Sequence, residues 1–231
     1  MEPFEFWQRI DPPRSFVSAP GYSEFYPARF DDGRQLLLPI RPLGDGVHAL
    51  ASLILNQASF EVVDAIAADL AAKLAVFEPD IIVGLPTLGL TLASAVAQKL
   101  GHRRYAPLGT SRKFWYREEL SVPLSSITTP HQQRRLYVDP RMLPLLERRR
   151  VVLVDDVISS GASMAAAIEL MASCGVEPLA LGVAMLQSNR WKERLALLNP
   201  AWPDKTIGVL ATPVLTKTPD DRWIAAAHAA L

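Results

Sequence analysis

Along this chain, short blocks of unbroken apolar residues alternate with longer blocks whose apolar positions recur every three or four residues. Residues 59–77 are of the second kind. Phe60, Val63, Ile66, Ala67, Leu70, Leu74 and Phe77 fall on helical spacing, and Pro79 stops the pattern, so a helix is predicted. Residues 80–84 are of the first kind (Asp80, Ile81, Ile82, Val83, Gly84) and predict a strand buried on both faces. A helix over 89–100 follows, with Gly101 beyond its end, and then a strand beginning at 104–107. The run Val151 to Val154 predicts a buried strand, and the Ala-rich stretch from Met164, with Ile168 and Met171 in phase, predicts a helix closed by Gly175. Residues 179–186 predict a fourth core strand, and 35–40 and 136–138 two short ones, the first preceded by a turn at Asp32-Gly33.

Strands alternating with helices of this length imply an α/β fold. Its core is a parallel β-sheet flanked by helices, with right-handed crossovers. The first thirty residues are rich in aromatics and prolines (Phe4, Phe6, Trp7, Phe16, Tyr22, Phe25, Tyr26, Phe30) and show no period. They are too apolar for a disordered tail and are expected to pack irregularly over the core. A single domain over 1–231 is expected. Its core spans about 57–187, and an irregular hood is drawn from 1–45 and 188–231.

Composition narrows the class without choosing the chemistry. The 231 residues suffice for a substantial core. Lys plus Arg and Asp plus Glu each number 24, which gives no case for general attraction to nucleic acid or membrane. The cluster Arg148, Arg149, Arg150 is expected to be solvated at the start of a strand. The lone Cys174 excludes an internal disulfide and a cysteine metal cage, and it reads as a small hydrophobe. His48, His102, His131 and His228 lack metal-ligand spacing and are read as surface residues. Residues 1–15 do not resemble a signal peptide, and no apolar stretch approaches membrane-spanning length, so a cytoplasmic location is expected.

The chemistry concentrates in residues 151–163, VVLVDDVISSGAS. The strand ends in Asp155 and Asp156, and a small-residue turn (Ser159, Ser160, Gly161, Ala162, Ser163) opens onto a helix. Ligands of open α/β sheets bind beyond the carboxyl ends of the strands. A turn at a helix N-terminus offers unpaired N–H groups and the positive end of the dipole to a phosphate. Gly161 permits close backbone approach, and the serines add hydroxyl donors. Like charge bars Asp155 and Asp156 from the phosphate. They suit ribose hydroxyls, directly or with Mg²⁺ nearby. The implied ligand is a sugar phosphate with free hydroxyls, against the plainer alternative of a buried strand whose Asp pair caps a helix.

This segment resembles the phosphoribosyl diphosphate (PRPP) signature of type I phosphoribosyltransferases, with Ser where the family often has Thr. A second strand end, GLPTLGLT at 84–91, precedes a helix in the same way. It nearly matches a nucleoside-triphosphate P-loop, but Leu90 stands where that loop needs Lys. The resemblance instead implies a pyrophosphate-binding loop at Thr87, Leu88 and Gly89, where the family often carries a non-proline cis peptide. A plain turn punctuated by Pro86 and Gly89 is the alternative.

Residues 110–135 form a long polar and aromatic excursion containing Arg112, Lys113, Phe114, Trp115 and Tyr116. In the resembled family a mobile catalytic loop occupies this position. The stretch YAPLGTSRK is most similar to adenine phosphoribosyltransferases, although the glycine- and proline-rich lid core of those enzymes is missing. An amphipathic surface loop or hairpin is the alternative.

The resemblance implies a Mg²⁺-dependent pentosyltransferase. It would move the 5-phosphoribosyl group of PRPP to a nucleobase, with a purine favoured, and release pyrophosphate. Asp155 and Asp156 would hold the ribose hydroxyls and contact Mg²⁺ indirectly, residues 159–163 the 5′-phosphate, and Arg112 and Lys113 the leaving pyrophosphate. A homodimer is expected. The base would be read by hood aromatics from the first thirty residues or from 187–223, including Trp191 and Trp202. The rival from another class is a non-catalytic PRPP-sensing regulator, although residues 1–55 hold no helix-turn-helix pattern.

Overall fold

The computed structural model describes residues 2–17, 21–124 and 134–226. Five strands form the parallel core: β4 (Ile81–Gly84), β5 (Ala106–Pro107), β8 (Val151–Ile158), β9 (Ala180–Gln187) and β10 (Thr206–Thr212). Their spatial order is β10-β9-β8-β4-β5, and every pairing is parallel. The fifth strand comes from Thr206–Thr212, within the stretch that the sequence assigns to the hood.

Side chains of β8 alternate between two cores, as the pleat requires. Val152 and Val154 pack with α1 (Phe60–Leu74) and α2 (Gly89–Lys99). Val151 and Leu153 pack with α3 (Ala162–Ser173) and α4 (Arg190–Leu198). The signature strand is therefore covered on both faces, which explains its unbroken apolar run. At its outset Arg150 pairs with Asp80 at 3.0 Å and with Glu78 at 2.7 Å, tying the starts of β8 and β4 together.

Helix α1 begins at Ser59, whose hydroxyl accepts the Val62 N–H at 3.2 Å as an N-cap. It ends at Leu74, and residues 75–77 continue as a 3-10 turn. Phe60 does not belong to the buried face. It is 93% exposed in the first turn, and Val62 takes the core position instead. Helix α3 starts two residues before its first periodic residue, and Gly175 (φ 69°) follows its Cys174 cap in the left-handed conformation.

The hood is not irregular. Strands β1 (Phe25–Arg29), β2 (Gln35–Pro42), β3 (His48–Ala51), β11 (Val214–Lys217) and β12 (Trp223–Ala225) form an antiparallel sheet in the order β1-β2-β3-β11-β12. The N-terminal and C-terminal strands of the hood join where Leu50 of β3 pairs with Val214 of β11. The N-terminal aromatics anchor beside this sheet. Trp7 is buried and donates its indole N–H to the Ser52 carbonyl at 3.0 Å. Among the described residues no helix is long and apolar enough to cross a membrane.

Candidate active site

The acidic pair lies in the carboxyl half of β8, in the middle of the parallel sheet; the strand does not stop there, as the sequence suggests, but continues through Val157 and Ile158. Both carboxylates are buried, each residue 8% exposed. Among the described residues neither has a basic side chain within 4 Å. The Asp156 backbone N–H donates to Asp155 Oδ1 at 2.9 Å. Burial pushes the Asp155 carboxyl well above the ordinary carboxylate range, and the neighbouring Asp156 charge pushes it further. Burial raises Asp156 as well, while its hydrogen bond from Asp155 acts the other way.

Asp155 also stands on the wall of a cavity of about 120 Å³ formed by residues 157–164. Ser159, Ser160, Gly161, Ala162 and Ser163 all line this cavity, whereas Asp156 lies outside the lining. The predicted phosphate turn is therefore a concave pocket that has one of the two acidic residues in its wall. Gly161 is the N-cap of α3 with φ 76°, a conformation that favours glycine. Ser160 accepts the Ala162 N–H at a long 3.4 Å, and neither Asp155 nor Asp156 caps α3.

The 84–89 loop reaches the same place from β4. Leu85 N–H donates to Val154 O at 2.9 Å, so the turn leaves its strand level with the acidic pair. The Pro86–Thr87 peptide is cis. Thr87 is exposed and Leu88 half-buried, whereas Gly89 is buried as the first residue of α2. A Cβ on Gly89 would lie 2.5 Å from Asp155 Oδ1, 2.7 Å from Asp155 Cα and 3.2 Å from the Asp156 nitrogen. Only glycine lets the helix start this close to the carboxylates. The structure thus brings together Gly89, Asp155 and the 159–163 turn, at the ends of adjacent parallel strands.

The amino-acid sequence matches the phosphoribosyl transferase domain over residues 51–203. This chain belongs to the phosphoribosyltransferase family. Similarity to a hypoxanthine/guanine phosphoribosyltransferase of Methanosarcina acetivorans is 29% identity over 138 residues, 60% of this chain and 64% of that protein. An orotate phosphoribosyltransferase of Halorhodospira halophila is 29% identical over 139 residues, 59% of this chain and 56% of that protein. The matches span less than two thirds of either relative. The fold is shared with the crystal structure of an adenine phosphoribosyltransferase from Thermoanaerobacter pseudethanolicus, with a TM-score of 0.54 at 20% identity over 66% of this chain and 81% of that one. The parallel sheet with a separate antiparallel hood is the phosphoribosyltransferase fold.

Other predicted residues of this family member lie elsewhere. Arg112 and Lys113 are exposed, and Arg112 Nη1 is 3.5 Å from Glu118 Oε2. No contact among the described residues joins them to the acidic pair. Part of the excursion is a hairpin, in which β6 (Ser121–Leu124) pairs antiparallel with β7 (Arg134–Tyr137), and residues 125–133 lie outside the described residues.

An anchor that the sequence does not single out fixes its base. Trp115 Nε1 donates to Asp139 Oδ2 at 3.3 Å, and the Arg141 guanidinium sits 4.5 Å above the indole ring. Hydrogen bonds from Arg141 hold the Asp139 carboxyl down at about 2.

His102 corrects the reading of the histidines as surface groups. It is half-buried, with Nε2 2.9 Å from Pro79 O and Nδ1 buried without a partner. His48 pairs with Asp45 at 2.7 Å, and His131 and His228 lie outside the described residues. Among the described residues no three His, Cys, Asp or Glu are grouped so that they could hold a metal ion by themselves.

Proposed function

We propose that this protein transfers the 5-phosphoribosyl group of PRPP to a nucleobase, a purine by preference, and releases pyrophosphate. The observation that carries this reading is the contact of Gly89 with Asp155. It sets a strand-end loop suited to pyrophosphate and a strand-end pocket suited to a 5′-phosphate on either side of one buried carboxylate pair.

The residues divide the work by charge. Backbone N–H groups of 159–163 and the serine hydroxyls would take the 5′-phosphate. Those of 87–89 would take the pyrophosphate. Asp155 and Asp156 would accept hydrogen bonds from the ribose hydroxyls and favour the positive charge that develops at ribose C1 as the bond to pyrophosphate lengthens. The base nitrogen then forms the new bond to C1 while the electron pair leaves with pyrophosphate.

Two buried carboxylates with no basic partner among the described residues suit a hard divalent cation. Mg²⁺ would be held there through water and ligand oxygens, and it would supply neutralisation of the pyrophosphate charge. Such a cation would also draw Asp155 back toward its ionised form. Arg112 and Lys113, which precede the Trp115 anchor, would add charge neutralisation if their own stretch of loop folds inward, and water would then be excluded from an activated sugar. The catalytic step, the purine preference, a homodimer and the cytoplasmic setting are parts of this proposal.

The experiment is pyrophosphate release from PRPP and Mg²⁺ with adenine, hypoxanthine, guanine and orotate, on the native protein and on Arg112→Ala with Lys113→Ala. Release with a purine is expected. In the double variant kcat should fall far more than PRPP affinity, because contacts made only on closure act on the transition state. Release with orotate alone would replace the purine with a pyrimidine. PRPP binding without release on any base would make the protein a sensor.

A further inference from the structure

We infer that Trp191 is a positioning residue for the 159–163 turn, setting the backbone shape with which that turn receives a 5′-phosphate. The inference rests on the phosphoribosyl-transfer reading. A turn of small residues has little bulk with which to hold its own amides in one direction, and its single internal side-chain bond, from Ala162 N–H to Ser160, is long at 3.4 Å. Its shape must be imposed from beneath.

Trp191 is the group beneath it. A Cβ on Gly161 would lie 3.2 Å from Trp191 Cβ and 3.3 Å from both its Cα and its carbonyl oxygen, so the turn rests directly on the first turn of α4. The indole is 2% exposed, and its Nε1–H donates to the Ser188 carbonyl at 3.0 Å. Ser188 is itself held in the left-handed region (φ 62°), and its N–H donates to Thr212 O at 2.8 Å, at the end of β10. The preceding Gln187 donates its side-chain N–H to Ala51 O in β3 at 2.7 Å. A continuous set of contacts thus runs from the turn through Trp191 and Ser188 to the ends of β10 and β3. The indole N–H and the Gln187 amide are the side-chain polar links in it, and Trp191→Phe removes the first while keeping the Cβ and backbone that face Gly161, at the loss of one ring of the indole.

The test measures binding of ribose 5-phosphate and of pyrophosphate separately, by calorimetry with Mg²⁺, on the native protein and on Trp191→Phe. In the variant, ribose 5-phosphate should bind at least tenfold more weakly and pyrophosphate within twofold of native. In turnover, KM for PRPP should rise more than kcat falls. A merely structural role would weaken both ligands together, and that result overturns the inference, as does ribose 5-phosphate affinity within twofold of native. If the native protein binds neither ligand, the functional reading of the site falls and takes the inference with it.

Should Trp191→Phe not fold, the native protein carrying 5-fluorotryptophan gives a second readout. The Trp191 fluorine resonance would be assigned by replacing the other four tryptophans one at a time. It should shift with ribose 5-phosphate and stay in place with pyrophosphate, and an unmoved resonance overturns the proposal.

Discussion

Asp155→Asn combined with Asp156→Asn is expected to abolish most turnover while making the protein more stable at neutral pH. The substitution is nearly isosteric, and the amide oxygen that replaces Asp155 Oδ1 can still accept the backbone N–H of the next residue, a bond of 2.9 Å in the native protein. Were the pair only a cap, little would change, because Asn caps about as well as Asp. If the pair stabilises developing positive charge, its loss should cost about 3–4 kcal/mol in the transition state, or roughly two to three orders of magnitude in kcat.

The stability effect follows from linkage. Asp155 holds its proton more tightly in the folded protein than in the unfolded chain, because burial and the Asp156 charge raise it. From the ordinary Asp value of about 3.9 upward, the folded state therefore binds more protons than the unfolded one, and stability falls as pH rises through that window. The double variant lacks this decline. Melting curves of both proteins between about pH 4 and pH 7 should diverge, with the variant the more stable at the upper end. A folded variant that releases pyrophosphate at the native rate would remove the pair from the mechanism. Parallel melting curves would contradict the buried, proton-retaining pair.

Gly89→Ala is the second large effect expected. The new methyl would sit 2.7 Å from Asp155 Cα, which is backbone and cannot swing aside like the end of a side chain. Either α2 or the end of β8 must move. Overpacking of this kind costs typically about 1–3 kcal/mol of stability. A displacement of about 1 Å between the pyrophosphate loop and the acidic pair can cost roughly two orders of magnitude in rate. Turnover and melting of the variant check both. A variant with native melting and native kcat would mean that the close approach of the two strand ends is dispensable.

The parts of the molecule that the sequence makes legible are those whose causes are local. Val151 to Val154 reads as a strand buried on both faces because both of its faces are covered, although the strand runs on past the acidic pair to Ile158, and Gly161 reads as a special position because its φ of 76° is a local backbone requirement. Features with distant causes were not legible. Phe25–Arg29 contains Pro27, which argues against a strand until it is seen to be at the edge of the hood sheet, where a missing N–H is harmless. The hood becomes regular only because Val47–Ala51 meets Val214–Lys217, a pairing across the length of the chain that no local period announces. Thr206–Thr212 carries Ile207, Val209 and Leu210 and completes the parallel sheet, but it follows the signature strand at a distance and lies within the stretch that the sequence assigns to the hood. Trp191 reads as one aromatic among several, and only the structure sets it under the phosphate turn. Phe60 falls on the helical period, yet it sits in the first turn, beyond the reach of the core.

The central claim is that the ends of β4 and β8 together form one PRPP site. Titration calorimetry of the native protein with PRPP in the presence of Mg²⁺, paired with its melting temperature under the same conditions, tests it most directly. The account predicts saturable binding with one PRPP per chain and a melting temperature that rises with PRPP concentration, since a ligand of the folded state alone stabilises it by mass action. No binding heat and an unchanged melting temperature at millimolar PRPP and Mg²⁺ would contradict it.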